Sequence, residues 1–178
     1  MLNETLLVSR AALLGDKDAF NQLVEAYQSP IRRFFFNLTC GDEELGKDLA
    51  QDTFVKAWLN IASFRAAAKF STWLYRIACN VFYDYERSKK TMVGLDAEVA
   101  EKQLFDRTSE YEHSMDIMQA LNILKGNERT AVLLFYMEDL TVEKISKIMN
   151  CPKGTVKSHL FRGKEKLLLY FKNSGYDK

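Results

Sequence analysis

The sequence predicts an all-α protein, two small helical domains joined by a linker, and three observations predict it. Only two prolines occur in 178 residues, while 47% of the residues are hydrophobic. Apolar residues recur at the three- and four-residue intervals of amphipathic helices, and no stretch alternates apolar and polar residues between turn signals as a strand would. The helical period then fails between about residues 88 and 112, where Gly94, Asp96, Glu98, Glu101, Asp106, Glu110 and Glu112 gather. Such a stretch reads as a linker, at least partly flexible. One helical unit is thus expected at 1–90, a linker at 91–113 and a second unit at 114–178.

Taken in order, a first helix is expected over about 3–14, ended by Gly15. Asp16 is placed to cap the next, in which Ala19, Phe20, Leu23, Val24 and Tyr27 form an apolar stripe. Pro30 is expected to interrupt that helix, with helix resuming from Ile31 to Leu38. Gly41 closes the element, and Asp42 caps a third helix from Glu43 to about Ala62. Its core face is Ala50, Phe54, Ala57, Trp58 and Ile61. Its polar flank, with Asp48, Gln51 and Asp52, reads from spacing alone as solvated surface. A short loop, 63–70, precedes a helix from Trp73 to about Lys90, with Ser71 and Thr72 as candidate caps. Leu74, Ile77, Ala78, Val81 and Tyr85 lie on one side of that helix, and Arg76, Asn80, Tyr83 and Arg87 on the other.

In the second unit, helix resumes near Ser114 and carries Met115, Met118, Leu121, Ile123 and Leu124 towards Gly126, which ends it. Asn127 is the expected cap of a helix over 128–137. The most informative stretch comes next. Thr141 caps a helix from Val142 to Met149, and Asn150-Cys-Pro-Lys-Gly154 stops it, Gly154 supplying the freedom to turn. Thr155 is the expected cap of a second helix to about Phe171. At about 100° per residue, Val156, Leu160, Gly163, Leu167 and Phe171 fall inside, and Lys157, Ser158, Phe161, Arg162 and Glu165 fall outside. A large aromatic between two cations on a wet face is unusual. A second helix with a basic, mixed outer face is what a helix-turn-helix inserts into the DNA major groove.

Net charge is only +1, but its distribution is uneven. Residues 61–90 hold 6 basic and 2 acidic side chains, and 151–178 hold 7 and 2, whereas 91–150 hold 6 and 11. Two basic islands in an acidic chain suit two phosphate-binding surfaces. Cys40, Cys79 and Cys151 are odd in number and widely spaced, which fits reduced thiols in the cytoplasm and no metal site. No signal peptide is expected, because Glu4 and Arg10 break the N-terminal apolar run, and no run approaches the ~18 residues of a membrane span. No nucleophile–base pair, metal cluster or phosphate loop is visible, so neither an enzyme nor a cofactor is expected.

Three stretches carry a family resemblance. Asp48-Leu-Ala-Gln-Asp-Thr-Phe-Val-Lys-Ala-Trp58 resembles a segment of bacterial sigma factors, as does Phe70-Ser-Thr-Trp-Leu-Tyr-Arg-Ile-Ala-Cys-Asn80. Residues Ile145 to Lys166, with Thr155-Val-Lys-Ser158 and Arg162, resemble their C-terminal DNA-binding region. The coverage, about 16–90 and 114–171 in that order, is similar to the extracytoplasmic-function (ECF) group of the sigma-70 family.

The resemblance implies that 1–90 is sigma region 2 and 114–178 region 4. It implies polymerase binding through Asp48, Gln51, Asp52 and Lys56, against the β′ clamp helices, with the β flap as a further contact. It implies recognition and melting of the promoter −10 element by Phe64, Lys69, Phe70, Ser71, Trp73, Arg76, Asn80, Tyr83 and Arg87. It implies −35 recognition by Lys153, Thr155, Lys157, Ser158, Phe161 and Arg162. An anti-sigma factor is an expected partner, and membrane insertion is not expected. Two departures from the family wording stand out. Gly46 and Lys47 occupy a place where members often carry an acid, and Leu124-Lys125-Gly126 stands where they usually have Leu-Pro. A response-regulator type of helix-turn-helix protein would need a receiver domain upstream, with strands and an acidic pocket, and none is evident before residue 114. A helical scaffold or anti-sigma-like protein would have no use for two basic islands.

Overall fold

Helix α1, Glu4–Leu14, begins on the Asn3 side chain, which accepts from the Leu6 amide, and ends at Gly15 in the left-handed region. The computed structural model describes residues 3–64, 69–93 and 112–174. Asp16 caps α2 by accepting from the Ala19 amide at 3.0 Å, and it holds Arg10 at 2.6 Å. Both bonds lower the Asp16 pKa. The Tyr27 hydroxyl donates to Glu4 and fastens α1 to α2.

Helix α2 corrects the expected break: it runs without interruption from Lys17 to Leu38 with Pro30 inside it. An internal proline costs about 3 kcal/mol. Leu23, Ile31, Phe34, Phe35 and Leu38 are each at most 2% exposed. Fully burying each contributes roughly 1.5–3 kcal/mol, so packing on both sides of the proline outweighs the lost bond. Helix α3, Glu43–Asn60, starts on Asp42, which accepts from the Leu45 amide at 3.0 Å. It crosses α2 closely at Gly46, where a Cβ would lie 3.3 Å from the Phe36 amide nitrogen. The glycine at this departure from the family wording therefore sets the crossing of the two helices. A 3₁₀ turn, Ile61–Ser63, finishes α3.

Helix α4 begins at Phe70 and extends to Val93, three residues before and three after the expected bounds. Ser71 and Thr72 are thus in its first turn. Helix α5 spans Glu112–Asn122, so helix occupies both edges of the stretch read as linker, and residues 94–111 lie outside those described. Gly126 starts α6, Gly126–Val132, and does not end α5. The cap position is Lys125, not Asn127: the Lys125 amide donates to the Glu128 side chain at 3.1 Å. Gly126 is also a point of close approach, since a Cβ there would lie 2.5 Å from Glu86 Oε2 of α4. A π-helical turn, Leu133–Met137, continues α6.

The helix-turn-helix is formed by α7, Val142–Met149, and α8, Lys153–Asn173. Thr141 caps α7 as expected. The turn differs from expectation. Asn150, at φ 50°, takes the left-handed position, while Gly154 is already helical. Pro152 precedes the first turn of α8 and its carbonyl accepts from the Thr155 and Val156 amides at 2.9 and 3.1 Å. Asparagine tolerates the left-handed region, so no glycine is needed there. Ser146 Oγ closes the turn by donating to the Cys151 carbonyl at 2.6 Å.

Helices α6 and α8 touch at Gly163, where a Cβ would come 2.7 Å from Val132 Cγ2. Valine is stiff at χ1 and this one is 5% exposed. Gly163→Ala is therefore expected to lower stability by about 2 kcal/mol, or roughly 4–8 °C in thermal unfolding. An unchanged melting temperature would show that α8 can shift away from α6.

Helices α5 and α6 lie against α2, α7 lies against α4, and α8 packs on α5, α6 and α7, so that one apolar core runs through both halves. Helix α4 is buried on two sides: Leu74, Ala78 and Val81 serve the N-terminal core, and Tyr75, Cys79 and Phe82 extend the buried surface. Burial pushes the Cys79 thiol pKa up, which keeps it a small apolar group. The Tyr75 hydroxyl donates to Glu138, and Arg129 donates to the Leu38 carbonyl at 2.8 Å, joining the halves.

Candidate polymerase and promoter interfaces

The phase of α8 is as the sequence requires. Val156 and Gly163 are buried, Leu160 and Leu167 half-buried, and Lys157, Ser158 and Arg162 exposed. Phe161 is 62% exposed between the two cations. Ser158 Oγ donates to the Gly154 carbonyl at 2.9 Å, which fixes its rotamer and leaves its lone pairs outward. Thr155 is half-buried in the first turn and no cap. Lys153 pairs with Glu143 of α7 at 3.0 Å. Both members are exposed, and such a pair is worth under about 1 kcal/mol, so a phosphate can compete for the lysine.

On α3, Asp48, Gln51, Asp52 and Lys56 are all exposed. Asp48 and Gln51 lie on a cleft of about 790 Å³ between α2 and α3. Phe20 and Trp58, with ring centroids 5.1 Å apart, also line it. Val55 and Leu59, 51% and 73% exposed, belong to the same cleft. These two were not singled out from the sequence, although apolar residues four apart on a wet flank are the signal. Apolar surface beside carboxylates marks a docking site more than a solvated face does. Lys56 leans away from the cleft to pair with Asp84 of α4 at 3.3 Å.

The third surface is only partly assembled. Lys69, Arg76, Asn80 and Arg87 are exposed, and Ser71 and Trp73 are half-buried. Phe64, half-buried, has its ring 5.4 Å from Trp73 and 5.9 Å from Phe70. Phe70 itself is 3% exposed and packs edge-on to Tyr27, so it supports this aromatic cluster from beneath and faces no solvent. Tyr83 departs from expectation as well. Its hydroxyl is buried beside Thr130 and Cys151, and burial pushes its pKa up. The angular position on α4 is right, but the C-terminal helices cover it. Residues 65–68 of the preceding loop lie outside those described.

The segments that carry these surfaces match known families. Residues 23–91 match Sigma-70 region 2, and residues 114–167 match Sigma-70, region 4. The chain is 37% identical over 167 residues to the ECF RNA polymerase sigma factor SigW of Bacillus subtilis, covering 86% of this chain and 89% of that protein. It is 33% identical over 182 residues to the ECF RNA polymerase sigma-E factor of Haemophilus influenzae, covering 92% and 93%. The solved sigma factor RpoE from Bartonella quintana, in complex with the anti-sigma factor NepR, is similar with a TM-score of 0.75 at 28% identity, over 88% of this chain and 98% of that one. CnrH, solved with the cytosolic domain of CnrY, shares the fold at a TM-score of 0.73 and 22% identity, over 96% and 97%. Among the described residues no helix is long and apolar enough to cross a membrane. With both regions matched in order, and with relatives of this identity over most of their length, the chain belongs to the ECF RNA polymerase sigma factors.

Proposed function

We propose a division of labour over three surfaces for this alternative sigma factor, which binds core RNA polymerase and directs promoter-specific initiation without being an enzyme. The cleft of α2 and α3 takes the β′ clamp helices, with Asp48, Gln51 and Asp52 as polar contacts and Val55 and Leu59 as the apolar ones. The exposed cations, Asn80 and the ring of Trp73 meet the −10 strand, where bases stack and cations follow phosphates. Helix α8 enters the −35 major groove, and the C-terminal unit, 114–178, also meets the β flap. The protein works in the cytoplasm, and an anti-sigma factor competes for these faces, as the complex of RpoE with the anti-sigma factor NepR suggests by analogy.

The observation that carries the reading is the outer face of α8, where Phe161 is 62% exposed between Lys157 and Arg162. Its test is transcription in a purified system. Core polymerase plus this protein should initiate at a subset of genomic promoters that core enzyme alone ignores, and failure to do so overturns it.

Phe161→Ala gives a sharper result. The ring touches little protein, so stability should stay within about ±0.5 kcal/mol. Binding to the −35 element should weaken by about tenfold, as for loss of a contact worth about 1–2 kcal/mol with a thymine methyl or sugar edge. Unfolding of the variant would place Phe161 in the core and remove Lys157, Ser158 and Arg162 from the interface with it.

A further inference from the structure

A second concave surface lies beside the outer face of α8, between α6 and α8. It is a notch of about 390 Å³, with Lys125, Asn127 and Glu128 on the α6 side and His159, Arg162 and Lys166 on the other. The α8 members are spaced three and four apart, so they share one flank of the helix. Glu128 is 3% exposed and its carboxylate is already engaged, by Lys166 Nζ at 2.6 Å and by the Lys125 amide at 3.1 Å. Among the described residues no carboxylate forms an ion pair with Lys125 or Arg162. Three cations against one spent carboxylate leave the notch positive.

One polar atom here is unexplained. His159 Nδ1 is buried and has no hydrogen-bond partner. Less than 1 Å² of this nitrogen is open, so it lies beneath the notch surface and offers no bond to a group seated there. Burial, and then the Arg162 charge, lower the His159 pKa, so the ring adds no charge to the notch at pH 7. Arg162 belongs both to the notch and to the outer face of α8. Whatever the notch holds therefore lies directly alongside the groove that α8 enters, where a DNA strand runs.

We infer that this notch seats one backbone phosphate of the strand bounding the −35 groove, held by Lys125 and Arg162. The inference rests on the assignment of α8 to the −35 element. Its role is to fix the depth and register of α8, since a phosphate contact positions a protein without reading sequence. An acidic protein segment has similar chemistry, but the shared Arg162 favours DNA.

The test uses holoenzyme reconstituted from core polymerase and the full chain, with a −35 duplex selected by that holoenzyme from a random pool. Single phosphates around the element are replaced by neutral methylphosphonate, and binding is measured from 50 to 200 mM salt for the native protein and for Lys125→Gln. Lys125 is exposed, so the melting temperature should not move. One phosphate contact carries about 0.9 in the salt slope, or roughly three- to fourfold in affinity over that range. The expected result is one phosphate position whose neutralisation weakens the native protein, lowers its salt slope by about 0.9 and leaves Lys125→Gln unaffected. The variant should also show a slope smaller by about 0.9 on unmodified DNA.

Unchanged DNA binding by Lys125→Gln overturns the inference and turns attention to an acidic protein partner. So does equal sensitivity of both proteins at every phosphate. Should the variant misfold, the phosphate scan on the native protein decides alone, since a notch phosphate must appear beyond those explained by Lys157→Gln. Phe161→Ala is the control for the underlying assignment. If it too leaves −35 binding unaltered, the placement of α8 has failed and not only the notch.

Discussion

Alanine at Asp48, Gln51 and Asp52 together should cost core-polymerase affinity heavily and stability hardly at all. All three side chains are exposed on α3 and none contributes to the core. Each replacement should stay within about ±0.5 kcal/mol in unfolding. At the centre of an interface the same groups become desolvated, and losing polar contacts there is worth about 2–4 kcal/mol in total, or roughly 30- to 900-fold in Kd. Competition for core enzyme against an unaltered sigma factor measures this directly. Leu59→Ser belongs in the same experiment, because Leu59 is 73% exposed on the cleft and should weaken polymerase binding without loosening the fold. A folded triple variant that still competes fully would remove the cleft from the polymerase contact.

Arg129→Ala should show the opposite pattern, a large loss of stability from a residue remote from both interfaces. Its guanidinium donates to the carbonyls of Leu121 at 2.8 Å, Leu124 at 3.0 Å and Leu38 at 2.8 Å. The first two are at the exit of α5 and the third is at the end of α2, so one side chain satisfies helix ends in both halves. Hydrogen bonds to a charged group contribute roughly 1.5–3 kcal/mol, and orphaned carbonyls add desolvation, so a loss of about 3 kcal/mol is expected. In a chain of this length that is about 6–12 °C in melting temperature. Lysine should not restore it, because an ammonium on a single point cannot span three carbonyls that a planar fork reaches. A melting temperature within a degree or two of the parent would mean that water replaces the guanidinium.

What could be read without coordinates, and what could not, divides along a physical line. Local rules held where a residue answers only to its own helix. Asp16, Asp42 and Thr141 cap as their side chains allow, and the inside and outside of α8 follow from angle alone. Reading failed where packing between helices decides. Pro30 stays helical because buried residues on both sides of it outweigh one missing bond. Phe70 looked like a base-stacking ring and is core, since the aromatic cluster with Tyr27 closes over it. Gly154 looked like the hinge of the helix-turn-helix, but Asn150 holds the left-handed turn and α8 begins two residues before Thr155. The proposed docking cleft was half legible. Its Asp48 and Gln51 were found through a resemblance, while Val55 and Leu59 needed a surface on which to be seen exposed.

The covering of Tyr83 by the C-terminal helices has a consequence for how partners compete. Suppose the halves exist in a closed arrangement and a parted one. A partner that requires the hidden face of α4 then binds only the parted fraction, and its measured dissociation constant is the intrinsic one divided by that fraction. A seam worth about 3 kcal/mol leaves roughly one molecule in 150 parted, and weakens such a partner by the same factor. Whatever grips the two halves at a fixed distance removes that penalty before promoter DNA arrives. The order in which polymerase and promoter bind is then set by the seam between α4 and α7, and a substitution there would change initiation without touching either partner.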